Sequence, residues 1–231
     1  MAGISVFTAL GFTLTTIASV WLFFKASGNR RVVLFILIWG SLVGILGLNG
    51  FYLEQDTIPP RFVFLLGPVL LFVLLLPITK KGKRFMENLD LKWLTLVHVV
   101  RIPVELVLYS VFLEGLVPKL MTFEGYNFDI LSGLSAPILY YLVFVNKKVN
   151  LNGLLLWNMV CLGLLLNILT IAVLSGQTPF QKMAFDQPNI GVTYFPLVWL
   201  PTIIVPLVFL SHLASIGQIL SLRRKKGIEP N

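Results

Sequence analysis

Apolar residues run along this chain in long blocks separated by short clusters of Lys, Arg, Gly and Pro. A helix is the structure that satisfies every backbone hydrogen bond locally where there is no water, and about 17 to 25 apolar residues let it cross a bilayer. Seven blocks fit that description, covering 4–24, 32–50, 62–78, 93–112, 130–145, 154–174 and 195–220. The fifth is short; the seventh is long enough to tilt or to continue past the interface.

Composition agrees with the pattern. Of 231 residues, 57% are hydrophobic and 12% charged, against about 25% charged in a soluble domain. A soluble enzyme, a disordered chain and a nucleic-acid-binding domain are therefore excluded. The net charge of +8 matters through its distribution. Lys25, Arg30 and Arg31 follow the first block, Lys80, Lys81, Lys83, Arg84 and Lys92 the third, and Lys147 and Lys148 the fifth; Arg223 to Lys226 follow the seventh. The alternate connections carry Arg61, Lys119 and Lys182 against Glu54, Asp56, Glu114, Glu124, Asp129 and Asp186. The positive-inside rule then places the amino terminus outside and the carboxyl terminus in the cytoplasm. The expected fold is all-α, a polytopic integral protein of the cell membrane, with a seven-helix transmembrane domain over 1–222 and a basic cytoplasmic tail over 223–231. No cleavable leader is expected, because the basic residues come after the first apolar run. The expected partners are the bilayer itself, anionic lipid headgroups at the cytoplasmic face and a small anionic or polar ligand, with no nucleic acid.

Ionisable residues inside a span cost about 2.5 to 3.5 kcal/mol each at its centre and so face the bundle interior. The fourth block concentrates them. At 3.6 residues per turn, His98, Arg101, Glu105 and Tyr109 fall on one helix face within about 80°. Arg101 and Glu105 are i, i+4 neighbours and are expected to pair within the helix. Pro103 is expected to crowd the carbonyl of Val99 and bend the helix there. A rise of about 1.5 Å per residue from Lys92 puts Arg101 near 14 Å and Glu105 near 20 Å, around the midplane.

Other blocks supply polar groups at similar heights: His212 with Ser211 and Ser215 in the seventh, Asn158 and Asn167 in the sixth. The ligand or proton pathway expected from the sequence is Arg101, Glu105, His98, His212, Tyr109, Asn158, Asn167 and Ser211, with no catalytic residue and no metal site assigned. Asn and Ser also serve as hydrogen-bonding glue between helices. His98 and His212, the chain's two histidines, are placed to face each other, which makes bis-histidine haem ligation conceivable. The outward connections 113–129 and 175–194 are expected to cover an external entrance, and Gly40 and Gly44 to allow close helix approach within the monomer.

The inventory favours a membrane transporter or small-molecule-binding protein with a buried Arg/Glu/His site, proton-coupled through Glu105 and a histidine. It leaves open an intramembrane enzyme or haem redox protein, and a noncatalytic subunit or receptor.

Overall fold

A computed structural model describes residues 3–54, 57 and 59–225. Asp56, Lys226 and the rest of the tail to residue 231 lie outside the described residues. The protein is all-α; the one β-bridge among the described residues joins Gly176 to Asn189 in a loop.

The helices are α1 (Val6–Ser27), α2 (Arg30–Leu48), α3 (Val63–Leu75), α4 (Lys80–Glu87), α5 (Leu91–Val97), α6 (Arg101–Leu113), α7 (Ile130–Tyr140), α8 (Leu151–Leu174) and α9 (Val205–Lys225). Among the described residues, five helical stretches are long and apolar enough to cross a membrane: α1, α2, α5 with α6, α8, and Leu200–Arg224. The third apolar block differs from a simple span. A 3₁₀ turn at Leu76–Ile78 extends α3, and the chain then bends by 89° into α4. Pro77 lies in that turn, and Thr79 caps α4 by accepting from the amide of Gly82. The amphipathic sequence of α4, with four basic residues among eight, suits a helix lying along an interface. The fifth block is an apolar helix over Ile130–Val145, shorter than the five long stretches and ending in a π-turn.

The packing has the polarity expected in lipid. On α1, Phe7, Leu10, Leu14 and Ile17 are exposed, whereas Thr8, Thr15, Thr16 and Ser19 face inward. The hydroxyls of Thr15, Thr16 and Ser19 each donate to the carbonyl four residues back, so small polar residues line the seam with no unmet hydrogen bond. Lys25 sits over the rings of Trp21 and Trp93 at the basic end of α1, the composition of a headgroup-level belt. Gly40 and Gly44 do permit close approach within the monomer. A Cβ on Gly40 would lie 2.9 Å from Ile203, and the Trp199 indole donates to the Gly40 carbonyl at 2.8 Å.

The fourth block is α5 and α6 joined by a 3₁₀ turn at His98–Val100. Pro103 lies in the first turn of α6, where its missing N–H removes no bond from a helix interior. The proline is thus accommodated by tightening the preceding turn.

Candidate functional site

Arg101, the first residue of α6, is 2% exposed and holds the centre of a buried polar cluster. Its Nη1 donates to Asp129 Oδ1 at 2.8 Å and to the Cys161 carbonyl at 3.4 Å. Its Nη2 lies 3.1 Å from His212 Nε2. A guanidinium only donates, so Nε2 must accept, and the proton of this imidazole sits on Nδ1. Nδ1 then donates to Asn158 Oδ1 at 2.9 Å, while Asn158 Nδ2 donates to the Leu154 carbonyl at 2.9 Å. One unbroken chain of donors therefore runs from α6 through α9 to α8, and it locks the His212 tautomer.

His98 lies against the other face of this imidazole. The two rings stack with centroids 4.0 Å apart and planes 22° from parallel, and Trp157 closes the edge of His98 at 5.3 Å. The Trp157 indole is itself fixed by donating to Ser135 on α7. Both ring nitrogens of His98 are buried without a hydrogen-bond partner in the protein. The histidines thus meet as expected, but face to face. No iron or macrocycle fits between rings in van der Waals contact, so bis-histidine haem ligation does not suit this geometry.

Glu105 departs from expectation. It makes no salt bridge with Arg101, whose two outer nitrogens are taken by Asp129 and His212. Its Oε1 instead accepts from Asn127 Nδ2 at 2.6 Å, and Oε2 is buried with no partner in the protein. Asn127 and Asp129 come from the connection before α7. Asn127 Oδ1 accepts from the amide of Asp129, and Nδ2 also donates to the Met121 carbonyl. Asp129 occupies the cap position of α7 without making a side-chain cap bond there, because its carboxylate turns to Arg101. Asp129, counted above with the outward acidic residues, is 5% exposed inside the bundle.

Gly133 makes this pairing possible. One turn into α7, it lies against the backbone of α6 so closely that an added Cβ would stand 3.0 Å from the Ile102 nitrogen and 3.3 Å from Arg101 Cβ. A Gly133→Val variant is expected to push α7 away and to lower stability by about 1 to 3 kcal/mol, the usual cost of overpacking. Thermal unfolding of the purified variant in detergent measures it.

Three expected site residues lie elsewhere. Tyr109 donates to Glu124 at 3.1 Å and stacks on Phe123, so it fastens the loop after α6. Asn167 is exposed and donates to the Tyr126 carbonyl, bracing the same loop from α8. Ser211 is buried beside His212 but donates to the Leu207 carbonyl of its own helix. The site that forms is His98, Arg101, Glu105, Asn127, Asp129, Asn158 and His212. No group of three or more His, Cys, Asp or Glu among the described residues is arranged to hold a metal ion.

The loops cover the end of the bundle opposite the basic connections. Gln187 donates to the carbonyls of Phe112 and Val117, and the amides of Ile190 and Gly191 donate to Leu116, so the loop before α9 lies across the loop after α6. Glu114 accepts from Thr8 and from the amide of Ser5, tying in the start of α1. A cavity of about 70 Å³ touches Glu105, Asp129 and Asn189, walled otherwise by apolar residues such as Leu65 of α3, Val104 of α6, Leu165 of α8 and Val205 of α9. A larger cavity of about 400 Å³ lies away from the cluster, between α2, α3 and α9. Phe35, Trp39, Phe72 and Leu207 line it, with Arg31 and Lys81 at its rim.

The fold and site define a class: a helical protein with several membrane-length apolar helices and a buried ionisable cluster at their centre. The chain belongs to the family described as a domain of unknown function, DUF8737, whose model matches residues 58–220 and so spans every member of the cluster. No curated protein and no solved structure matches the chain.

Proposed function

We propose that this protein is a multi-pass protein of the cell membrane with seven spans and an outward amino terminus, and that its buried cluster exchanges protons during transport. The span count takes the bent α3–α4 pair and the helix over Ile130–Val145 as the third and fifth crossings. The orientation rests on the basic connections after α1, after α3 and after α7, together with the basic end of α9. Arg31 and Lys81, at the rim of the large apolar cavity, suit anionic lipid headgroups of the basic face.

One observation carries the transport reading: five ionisable side chains, from residues 98, 101, 105, 129 and 212, are packed together among apolar helices. The roles divide by hydrogen bonding. Arg101 and Asp129 neutralise each other, and His212 is committed to Arg101 and Asn158. Glu105 and His98 retain free buried atoms, so Glu105 takes and releases the proton and His98 passes it toward the basic face. Ser215 continues that line, a turn beyond His212 on α9, with its hydroxyl buried and unpartnered. Both outer nitrogens of Arg101 are bonded to Asp129, the Cys161 carbonyl and His212, and its Nε is buried without a partner, so the reading favours a proton or another small polar species over an anionic substrate.

Reconstituted into vesicles loaded with a pH-sensitive dye, the protein is expected to carry protons across the membrane when a potential is imposed. Vesicles that behave like protein-free ones would refute the proposal.

A further inference from the structure

A second pocket, of about 200 Å³, lies at the loop-covered end of the molecule. Tyr52, Glu54, Gln177, Asn189, Thr193 and Tyr194 are its polar walls, and Glu54 is the one charged group among them. Glu54 lies 3.7 Å from Arg61 at its exposed edge. Phe62 and Asn189 line both this pocket and the cavity beside Glu105 and Asp129. The two spaces therefore meet at those two side chains.

Each side chain has a feature that fits it for the boundary. Phe62 stands immediately before α3, and its ring rests on Gly176, where an added Cβ would be 3.2 Å away. Glycine thus provides the seat that lets the ring fill the gap. Asn189 is 1% exposed; its Nδ2 donates to the Ala172 carbonyl and its amide to the Ser175 carbonyl. Its Oδ1 has no partner in the protein. From the mouth inward, the polar atoms met are the Glu54 carboxylate, the Tyr and Thr hydroxyls, Asn189 Oδ1 and Glu105 Oε2. With a carboxylate at each end and an unpartnered amide oxygen between them, the route favours a cation over an anion. A space of about 70 Å³ admits water-sized species, since a water needs about 30 Å³ in the liquid.

We infer that the pocket at Glu54 is the entrance of a route by which protons carried on water reach Glu105, with Phe62 as its plug and Asn189 as the acceptor at the constriction. This rests on reading Glu105 as the group that exchanges protons, and it assigns the entrance, the closing residue and the charge selected. A proton arriving this way is left on Glu105 Oε2, and the site then neutral can release it only toward His98 or back.

Access is tested separately from transport. In a Cys161→Ala background, Glu105→Cys places a thiol at the inner end of the route, and silver ion is a cation small enough to probe it. Capture is read as protection of the thiol from a maleimide after denaturation, on protein that elutes as a single species. Adding Phe62→Ala is expected to speed capture by about tenfold or more, the equivalent of lowering a barrier by about 1.4 kcal/mol. Asn189→Leu is expected to slow it. Rates unchanged by both substitutions overturn the route, even if vesicles carry protons. Rates that respond, when the parent protein with Glu105 intact carries no protons in vesicles, uphold the route and refute proton exchange at Glu105.

Discussion

Asp129→Leu is expected to be the most damaging single substitution in this protein. It leaves the Arg101 guanidinium buried with no bonded anion, because Glu105 is held by Asn127. Removing one member of a buried ion pair costs about 3 to 5 kcal/mol, a large part of the roughly 5 to 15 kcal/mol that holds a typical domain together. The loss should appear as a lower unfolding temperature and poor recovery of monodisperse protein. Arg101→Met should be nearly as harmful, stranding Asp129 and taking the partner from His212 Nε2. The double variant is the informative one. Replacing both charges with apolar groups of similar size is often neutral or stabilising, so Arg101→Met with Asp129→Leu should unfold at a higher temperature than either single variant. Should the double variant be the least stable of the three, the pair is not the mutual neutralisation described here. A stable double variant that still carries protons would show the pair to be a staple between α6 and α7 and nothing more.

Glu105→Gln is expected to separate folding from function. The new side chain keeps an oxygen for Asn127 Nδ2, so stability should stay within about 1 kcal/mol of the parent, the scale of one ordinary hydrogen bond. It removes the one carboxylate in the cluster that is not bonded to Arg101. Proton flux into dye-loaded vesicles should then fall to the level of protein-free vesicles. Glu105→Asp shortens the side chain but keeps its titration, and partial flux is expected. If Glu105→Gln carries protons at the parental rate, Glu105 is not the exchanging group and the mechanism fails at its first step.

Much of this was readable in the residues, for a physical reason. Apolar blocks of membrane length have few alternatives to helices, and an ionisable residue inside one is rare enough to notice, so His98, Arg101, Glu105 and His212 stood out. Asn127 and Asp129 did not. They sit among polar residues, where an acid attracts no attention, and an Asp just ahead of Ile130 reads as an ordinary helix cap. The signal lay in the shortness of the fifth block, which implies that the chain ahead of it reaches into the bundle. The Arg101–Glu105 pair failed because spacing along one helix says nothing about competition from others: Asp129 and His212 take the guanidinium, and Asn127 takes the carboxylate. Tyr109 shares the helix face of Glu105, but it lies high enough to meet the loop rather than the cluster. The 89° turn at Thr79 was hidden because the apolar block ends and the basic cluster begins at the same point.

The donor chain around Arg101 also sets an order of assembly. Every side chain or carbonyl bonded to Arg101 or Glu105 through its side chain is encoded later: Asn127 and Asp129 first, then the Cys161 carbonyl, and His212 last. When the segment over Leu91–Leu113 leaves the ribosome, none of these has emerged beside it. Its arginine and glutamate then face the full insertion cost of lone charges. On the proposed membrane topology, the segment is expected to keep these charges at the water interface or beside the insertion machinery until α9 arrives. Truncation before His212 would leave Arg101 without its last partner, so the completeness of the cluster depends on the helix made last.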